Sequence, residues 1–256
     1  MDTVNSTLAH GPKTRLPQKF YDTKGRDIID RIGVEEWFSG YKESQEYREL
    51  GIGALMGDIV SRMMGSVSST TDDGMLEIGG GDGTIGQGRG GERQIRFGMS
   101  GCHDTTLAAI LSSLGAFEGE KWPPYTSHVA VELFRSDDEV VREIKQEQRP
   151  RMLSFGGAKK NESTQGSPAR KALDELSESE RDLLRGFYVR LRYNDRPMMI
   201  PGCRLPGKHL EGNEGFCTLE AFKAICDKFT PRNWKEACNS NLNEPRLPAR
   251  EEKAGF

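Results

Sequence analysis

The chain has 256 residues, a hydrophobic fraction of 35%, a formal net charge of −3 and an isoelectric point near 5.9. That length suits one domain or two small ones, and the low apolar content leaves part of it unstructured. Nothing favours nucleic-acid binding, which calls for a concentrated basic face. No run of about 18 apolar residues occurs, so no membrane span is expected.

Asn5 to Lys19 is polar, holds two prolines and reads as an extended entry. Arg26 to Phe38 is expected to be helical and broken near Gly33. Glu43 to Gly65 is the longest helical pattern, with Leu50, Leu55, Met56, Ile59, Val60, Met63 and Met64 on its apolar face. That face reads as core in preference to an adaptable methionine groove. Gly51, Gly53 and Gly57 suggest close packing. Ser66 to Gly91 is a low-complexity linker. Its Gly81-Asp82-Gly83-Thr84-Ile85-Gly86 has dinucleotide-binding spacing, but Gln87-Gly88-Arg89-Gly90-Gly91 cannot open the helix that such a site needs. A loop is the better reading.

Gln94 to Met99 alternates polar and apolar residues as a half-buried strand does. Ser100 and Gly101 turn the chain, and Thr105 to Phe117 follows as a helix with Leu107, Ile110, Leu111 and Leu114 on one stripe. His103 and Asp104 thus stand where free backbone N–H groups and the helix dipole favour an anion. A histidine there can bind phosphate, and a carboxylic acid can protonate a leaving group. The plainer reading is a helix cap.

Trp122-Pro123-Pro124-Tyr125 is a rigid turn. His128 to Phe134 alternates as a strand, with Val129, Val131 and Leu133 opposite His128, Ala130, Glu132 and Phe134. His128 could face the site, but the plainer reading is a strand histidine on the more polar face. Ser136 to Glu180 is charged and poor in large apolar residues, so a disordered insertion that can carry helical ends is expected, with solvated acidic runs. Phe187 to Tyr193 and Met198 to Ile200 are strands, and Leu219 to Phe229 is the closing helix. No Cys-x-x-Cys occurs, so neither a zinc site nor a redox motif is expected. Cys226 lies with Phe222, Ile225 and Phe229 on an apolar helix face. Asn5-Ser6-Thr7 and Asn161-Glu162-Ser163 fit the glycosylation triplet, which is common by chance.

Gly101-Cys102-His103-Asp104-Thr105-Thr106-Leu107 resembles the second signature of the histidine acid phosphatases. Trp122 to Ser127 with Glu132-Leu133-Phe134 is similar to that family's proline-tyrosine segment and following strand. Arg196 to Cys203 resembles its late strand, and Phe216 to Phe222 with Trp234 to Cys238 its closing helix and tail. The likeness runs over roughly 93–238, as for the C-terminal half of such an enzyme. It implies an α/β fold: an incomplete histidine phosphatase sandwich, phosphoglycerate mutase-like, with a mixed sheet flanked by helices. The expected organisation is a helical cap at 1–65, a linker at 66–92, the phosphatase part at 93–240 with an insertion at 135–182, and a tail at 241–256.

The resemblance also implies hydrolysis of phosphate monoesters through a phosphohistidine, without metal or other cofactor. His103 would bind a phosphate oxygen and Asp104 would donate the proton, which suits mildly acidic surroundings. The family's Arg-His-Gly-x-Arg-x-Pro nucleophile motif does not occur in these 256 residues. Ala9-His10-Gly11-Pro12-Lys13-Thr14-Arg15-Leu16-Pro17 is read as a chance match, because no apolar strand precedes it and Ala9 stands where arginine is needed. The chain then supplies the proton-donor half of an enzyme and is inactive alone. The alternative is a catalytically inactive phosphate-binding or interaction module. The resemblance further implies a Cys203–Cys217 disulfide and leaves Cys238 without an identified partner. It points to a secretory, extracellular or lysosome/vacuole-like compartment, whereas Met1 to His10 carries no apolar signal core. The partner implied is a phosphate monoester, not nucleic acid or membrane, and homo-oligomerisation stays open. A missing nucleophile strand would leave an exposed edge beside Gln94 to Met99.

Overall fold

A computed structural model describes residues 2–11, 13, 15–68, 97–136, 171–245 and 248–256. The glycine-motif stretch 81–86, the triplet at 161–163 and most of the expected insertion lie outside these residues.

A short helix α1 (Asp2–Ala9) precedes α2 (Thr23–Glu43). Asp22 starts α2 by accepting hydrogen bonds from the Lys24 and Gly25 N–H groups. Contrary to expectation, α2 runs unbroken through Gly33. One helical glycine costs only about 1 kcal/mol, and burying Val34 and Phe38 outweighs that.

The expected helix from Glu43 to Gly65 is divided instead. Ser44 is extended (φ −124°, ψ 123°), and its hydroxyl accepts from the Tyr47 N–H to start α3 (Gln45–Arg48). A π-helical turn, Glu49–Gly53, then leads into α4 (Ala54–Ser68). Met56, Val60, Met63 and Met64 are buried, as core residues should be, while Leu55 is exposed. The glycines do mark close packing: a Cβ on Gly53 would collide with the Phe229 carbonyl, and one on Gly51 with the Tyr41 ring.

Helix α5 (Asp104–Ser113) follows His103 and buries Leu107, Ile110, Leu111 and the adjoining Leu114. Strands β1 (Val129–Arg135), β2 (Phe187–Tyr193), β3 (Arg196–Met198), β4 (His209–Leu210) and β5 (Asn213–Thr218) form the sheet. Its order is β1-β2-β5-β4, with β3 also on β2, and every described pairing is antiparallel. Between β1 and β2 lies α6 (Glu178–Asp182), capped by Ser177. After β5 come α7 (Leu219–Asp227) and α8 (Trp234–Asn239). The architecture is thus α/β, an antiparallel sheet flanked by helices. Val189, Leu191, Tyr193 and Cys217 of the sheet share one core with Phe222 and Cys226 of α7, Phe38 of α2 and Met56 of α4.

The expected strand at Gln94 to Met99 is not formed where it is described. Residues 94–96 lie outside the described set, and 97–99 are irregular with Phe97 82% and Met99 87% exposed. No described strand pairs with them, so alternation alone had no ladder to join. The strand order of the described sheet ends at β1 and at β4. The β4–β5 pair was not foreseen, because two residues and the polar Asn213-Glu214-Gly215 carry no strand signal. Cys203 and Cys217 are disulfide-bonded across this part of the fold.

The last residues are built into the body. Glu252 and Ala254 N–H groups donate to the Glu43 and Lys42 carbonyls, and Gly202 N–H donates to Gly255 O. Buried Arg48 donates to the Tyr41, Lys42 and Glu252 carbonyls at 2.9–3.2 Å.

Candidate active site

His103 is the N-cap residue of α5, with extended φ −89° and ψ 161°. Its carbonyl accepts from the Thr106 and Leu107 N–H groups, while its imidazole makes no capping bond and is exposed. The ring is therefore presented to solvent at the positive end of a helix ten residues long. It fits neither a capping side chain nor a core histidine.

Asp104 is the first residue of α5 and is half-buried. Its Oδ1 accepts from the Thr105 N–H at 2.7 Å, and its Oδ2 accepts from Trp122 Nε1 at 2.7 Å. The second bond spans 18 residues and joins the helix start to the Trp122-Pro123-Pro124-Tyr125 turn. The indole is itself held from α2. Its ring lies 5.2 Å from that of Phe38 and 5.9 Å from that of Trp37, the latter edge to face. Phe38 in turn meets Phe117 edge to face. The turn is fixed further along, where the His128 N–H donates to Asn194 Oδ1 and Arg196 pairs with Glu120.

The other histidines stand apart in their bonding. His10 is exposed at the end of α1, with Nδ1 2.7 Å from the Ser6 carbonyl. The His128 side chain is exposed, and His209 Nδ1 is 2.9 Å from Cys203 O. Among the described residues no arginine is hydrogen-bonded to or ion-paired with His103 or Asp104. Those of the sheet are engaged elsewhere, Arg190 with Glu132 and against both the Phe134 and Phe216 rings, and Arg192 with Asp195. Bonding to Arg190, more than the nearby charges, holds the Glu132 carboxyl below its ordinary range. Among the described residues no group of three or more His, Cys, Asp or Glu is placed to hold a metal. Cys102 beside the site is exposed and free. Cys226 is buried in the core, as its helix face implied, and burial raises its thiol well above the usual range.

The part of the site that sequence reasoning missed is Trp122. Its place before two prolines marks a turn, and nothing local reveals that its N–H reaches Asp104.

This geometry meets a family signature. Residues 26–149, from the first turn of α2 past β1, match the family model of the histidine phosphatase superfamily (branch 2). Among curated proteins, the chain is 31% identical over 238 residues to a probable acid phosphatase of Schizosaccharomyces pombe, covering 93% of this chain and 46% of that protein. It is 22% identical over 224 residues to a probable acid phosphatase of Dictyostelium discoideum, covering 86% of this chain and 35% of that one. The chain thus spans less than half the length of these relatives. The family match reaches further toward the N-terminus than the motifs at 101–107 and 122–134, taking in most of α2 and all of α3 and α4. No solved structure matches the chain significantly.

Proposed function

We propose that the chain is part of a branch 2 histidine phosphatase that hydrolyses phosphate monoesters by the acid phosphatase route. His103 binds a phosphate oxygen and Asp104 protonates the leaving group. The reading is carried by one observation: both residues stand at the open N-terminus of α5, with Asp104 held at both carboxyl oxygens. In the first step a histidine nitrogen bonds to phosphorus as the ester P–O bond breaks. The electron pair leaves on the alkoxide oxygen, which takes the Asp104 proton and departs as an alcohol. Water then attacks phosphorus, gives a proton to the Asp104 carboxylate, and the P–N bond breaks back onto the histidine. Inorganic phosphate leaves and the starting state returns.

The nucleophilic histidine of this route belongs to an Arg-His-Gly-x-Arg-x-Pro motif, which these 256 residues do not contain. The chain accordingly contributes the proton-donor half. A second reading, an inactive phosphate-binding or interaction module, is favoured by the lack of any described arginine hydrogen bond or ion pair to His103. Aryl phosphate hydrolysis near pH 5 separates them. The chain alone is expected to be inactive. Fused to the part of the S. pombe relative that the alignment leaves uncovered, it is expected to turn over, and Asp104→Asn in the fusion to slow it roughly 100-fold or more. An active fusion indifferent to Asp104→Asn removes the acid role. Activity of the chain alone, lost in Asp104→Asn, would make a histidine within it the nucleophile, His10 foremost.

A further inference from the structure

We infer that Trp122 is the positioning residue for Asp104, a role that rests on the acid phosphatase reading above. At the first position of a helix, an aspartate side chain is free to turn back and cap its own backbone. Asp104 does this with only one oxygen, toward the Thr105 N–H. The other is taken by the Trp122 indole N–H, a donor that cannot also accept. Two bonds to two oxygens fix the plane of the carboxyl group. Each oxygen keeps a second lone pair, and the proton bound for the leaving alkoxide can sit on either.

The indole is a stiff pointer because its own position is set from elsewhere. Phe38, 1% exposed, packs on the Trp122 ring, and Trp37 meets it edge to face. Pro123, buried directly after it, limits the backbone. The acid on α5 is thereby aimed by the core of α2, through one side chain of the intervening turn. A general acid displaced by about an ångström can lose 100-fold in rate, so the contact bears on turnover and not on fold alone.

The test has two readouts. In the full 256-residue chain, one of the three indole N–H signals, from Trp37, Trp122 and Trp234, is expected to vanish in Trp122→Phe. That same signal should shift strongly in Asp104→Asn while the other two hold still. A Trp122 signal unmoved by Asp104→Asn overturns the contact. In the catalytic fusion, Trp122→Phe keeps a ring against Phe38 but removes the donor. It is expected to cut kcat for an alkyl phosphate roughly 10-fold or more with KM unchanged. For p-nitrophenyl phosphate, whose leaving group needs little protonation, the loss should be under about 3-fold. Equal losses for both esters, or a change confined to KM, would show a structural role and overturn the inference. If the wild-type fusion hydrolyses neither ester, the phosphatase reading fails and takes the catalytic role with it. The indole signal then still reports whether the contact exists.

Discussion

At the scale of single residues, two ionised groups have effects of opposite sign. Glu180 caps α6 by accepting from the Ser177 N–H and hydroxyl at 2.7 and 2.9 Å, and it pairs with Lys171 at 3.0 Å. The Ser177 backbone bond first, then Lys171, hold its carboxyl at about 2 against an ordinary 4.5. A carboxyl depressed by folding stabilises the fold above its unfolded value and loses that contribution as pH falls from 4.5 toward about 2. Glu180→Gln is therefore expected to cost about 1 kcal/mol at neutral pH, and thermal melts should show the difference from wild type closing in acid. Asp227 is the reverse case. Burial raises its carboxyl, against the pull of Lys223, whose ammonium is 3.0 Å away and almost fully buried. A raised carboxyl binds its proton more tightly in the fold, so its stabilising effect is greatest in acid and declines as pH rises through the raised value. Lys223→Met removes the counter-charge and leaves that part-buried carboxylate with only the Leu173 N–H, and is expected to cost roughly 3 kcal/mol at neutral pH. Denaturant titrations should find the deficit smaller near pH 4; a pH-independent deficit would mean that lost packing, not the pair, is responsible.

At the scale of elements, two helical glycines give opposite predictions. Gly33 in α2 has open space where a Cβ would go, so Gly33→Ala is expected to stabilise by about 0.5–1 kcal/mol. Gly53 ends the π-turn against the Phe229 backbone, and Gly53→Ala forces α4 and α7 apart, costing roughly 2 kcal/mol or more. Equal melting shifts of the same sign would refute the packing account. The same contrast explains what was legible in the sequence. Helix α5 and strands β1 and β2 could be read because each carries its own periodicity and turn residues: Leu107, Ile110 and Leu111 on one stripe, and Val189 and Leu191 on one face. The π-turn could not, since its Gly53 lies where α4 meets the Phe229 backbone, and the break at Ser44 rests on a capping hydroxyl inside an otherwise helical pattern. The irregular Phe97 to Met99 shows the same limit, because alternation makes a strand only when a partner ladder is present. Around the candidate site, the start of α5 at His103 and Asp104 was legible from the helical stripe that follows it, although the strand expected before it is irregular, whereas the Trp122 bond is a tertiary contact without local trace.

At the scale of the whole molecule, the C-terminal residues act as a strap between parts distant in sequence. Ala254 and Gly255 are buried where the end of α5, the turn at Pro201-Gly202 and the junction of α2 and α3 converge. Three glycines make that crossing possible. A Cβ on Gly115 would meet Ala254 O at 2.6 Å, one on Gly202 would meet Gly255 O at 2.6 Å, and Gly255 itself (φ +81°) lies against the Leu114 carbonyl. Arg48 completes the strap by donating to Glu252 O from a site only 4% exposed. Removing residues 252–256 strips one of its carbonyl acceptors and uncovers the C-terminal end of α5, the helix whose other end carries His103 and Asp104. The truncated chain is expected to be less stable by roughly 2–3 kcal/mol. Amide exchange should quicken first at Leu114 to Phe117 and at Lys42 to Arg48, because those segments lose their covering. Gly255→Ala, which keeps the length but strains the crossing, should reproduce the pattern more weakly. If exchange quickens evenly along the chain, the strap only adds to global stability. If it quickens at these two segments alone, the C-terminal residues are what hold α5 at its set height against α2, and with it the distance from Asp104 to Trp122.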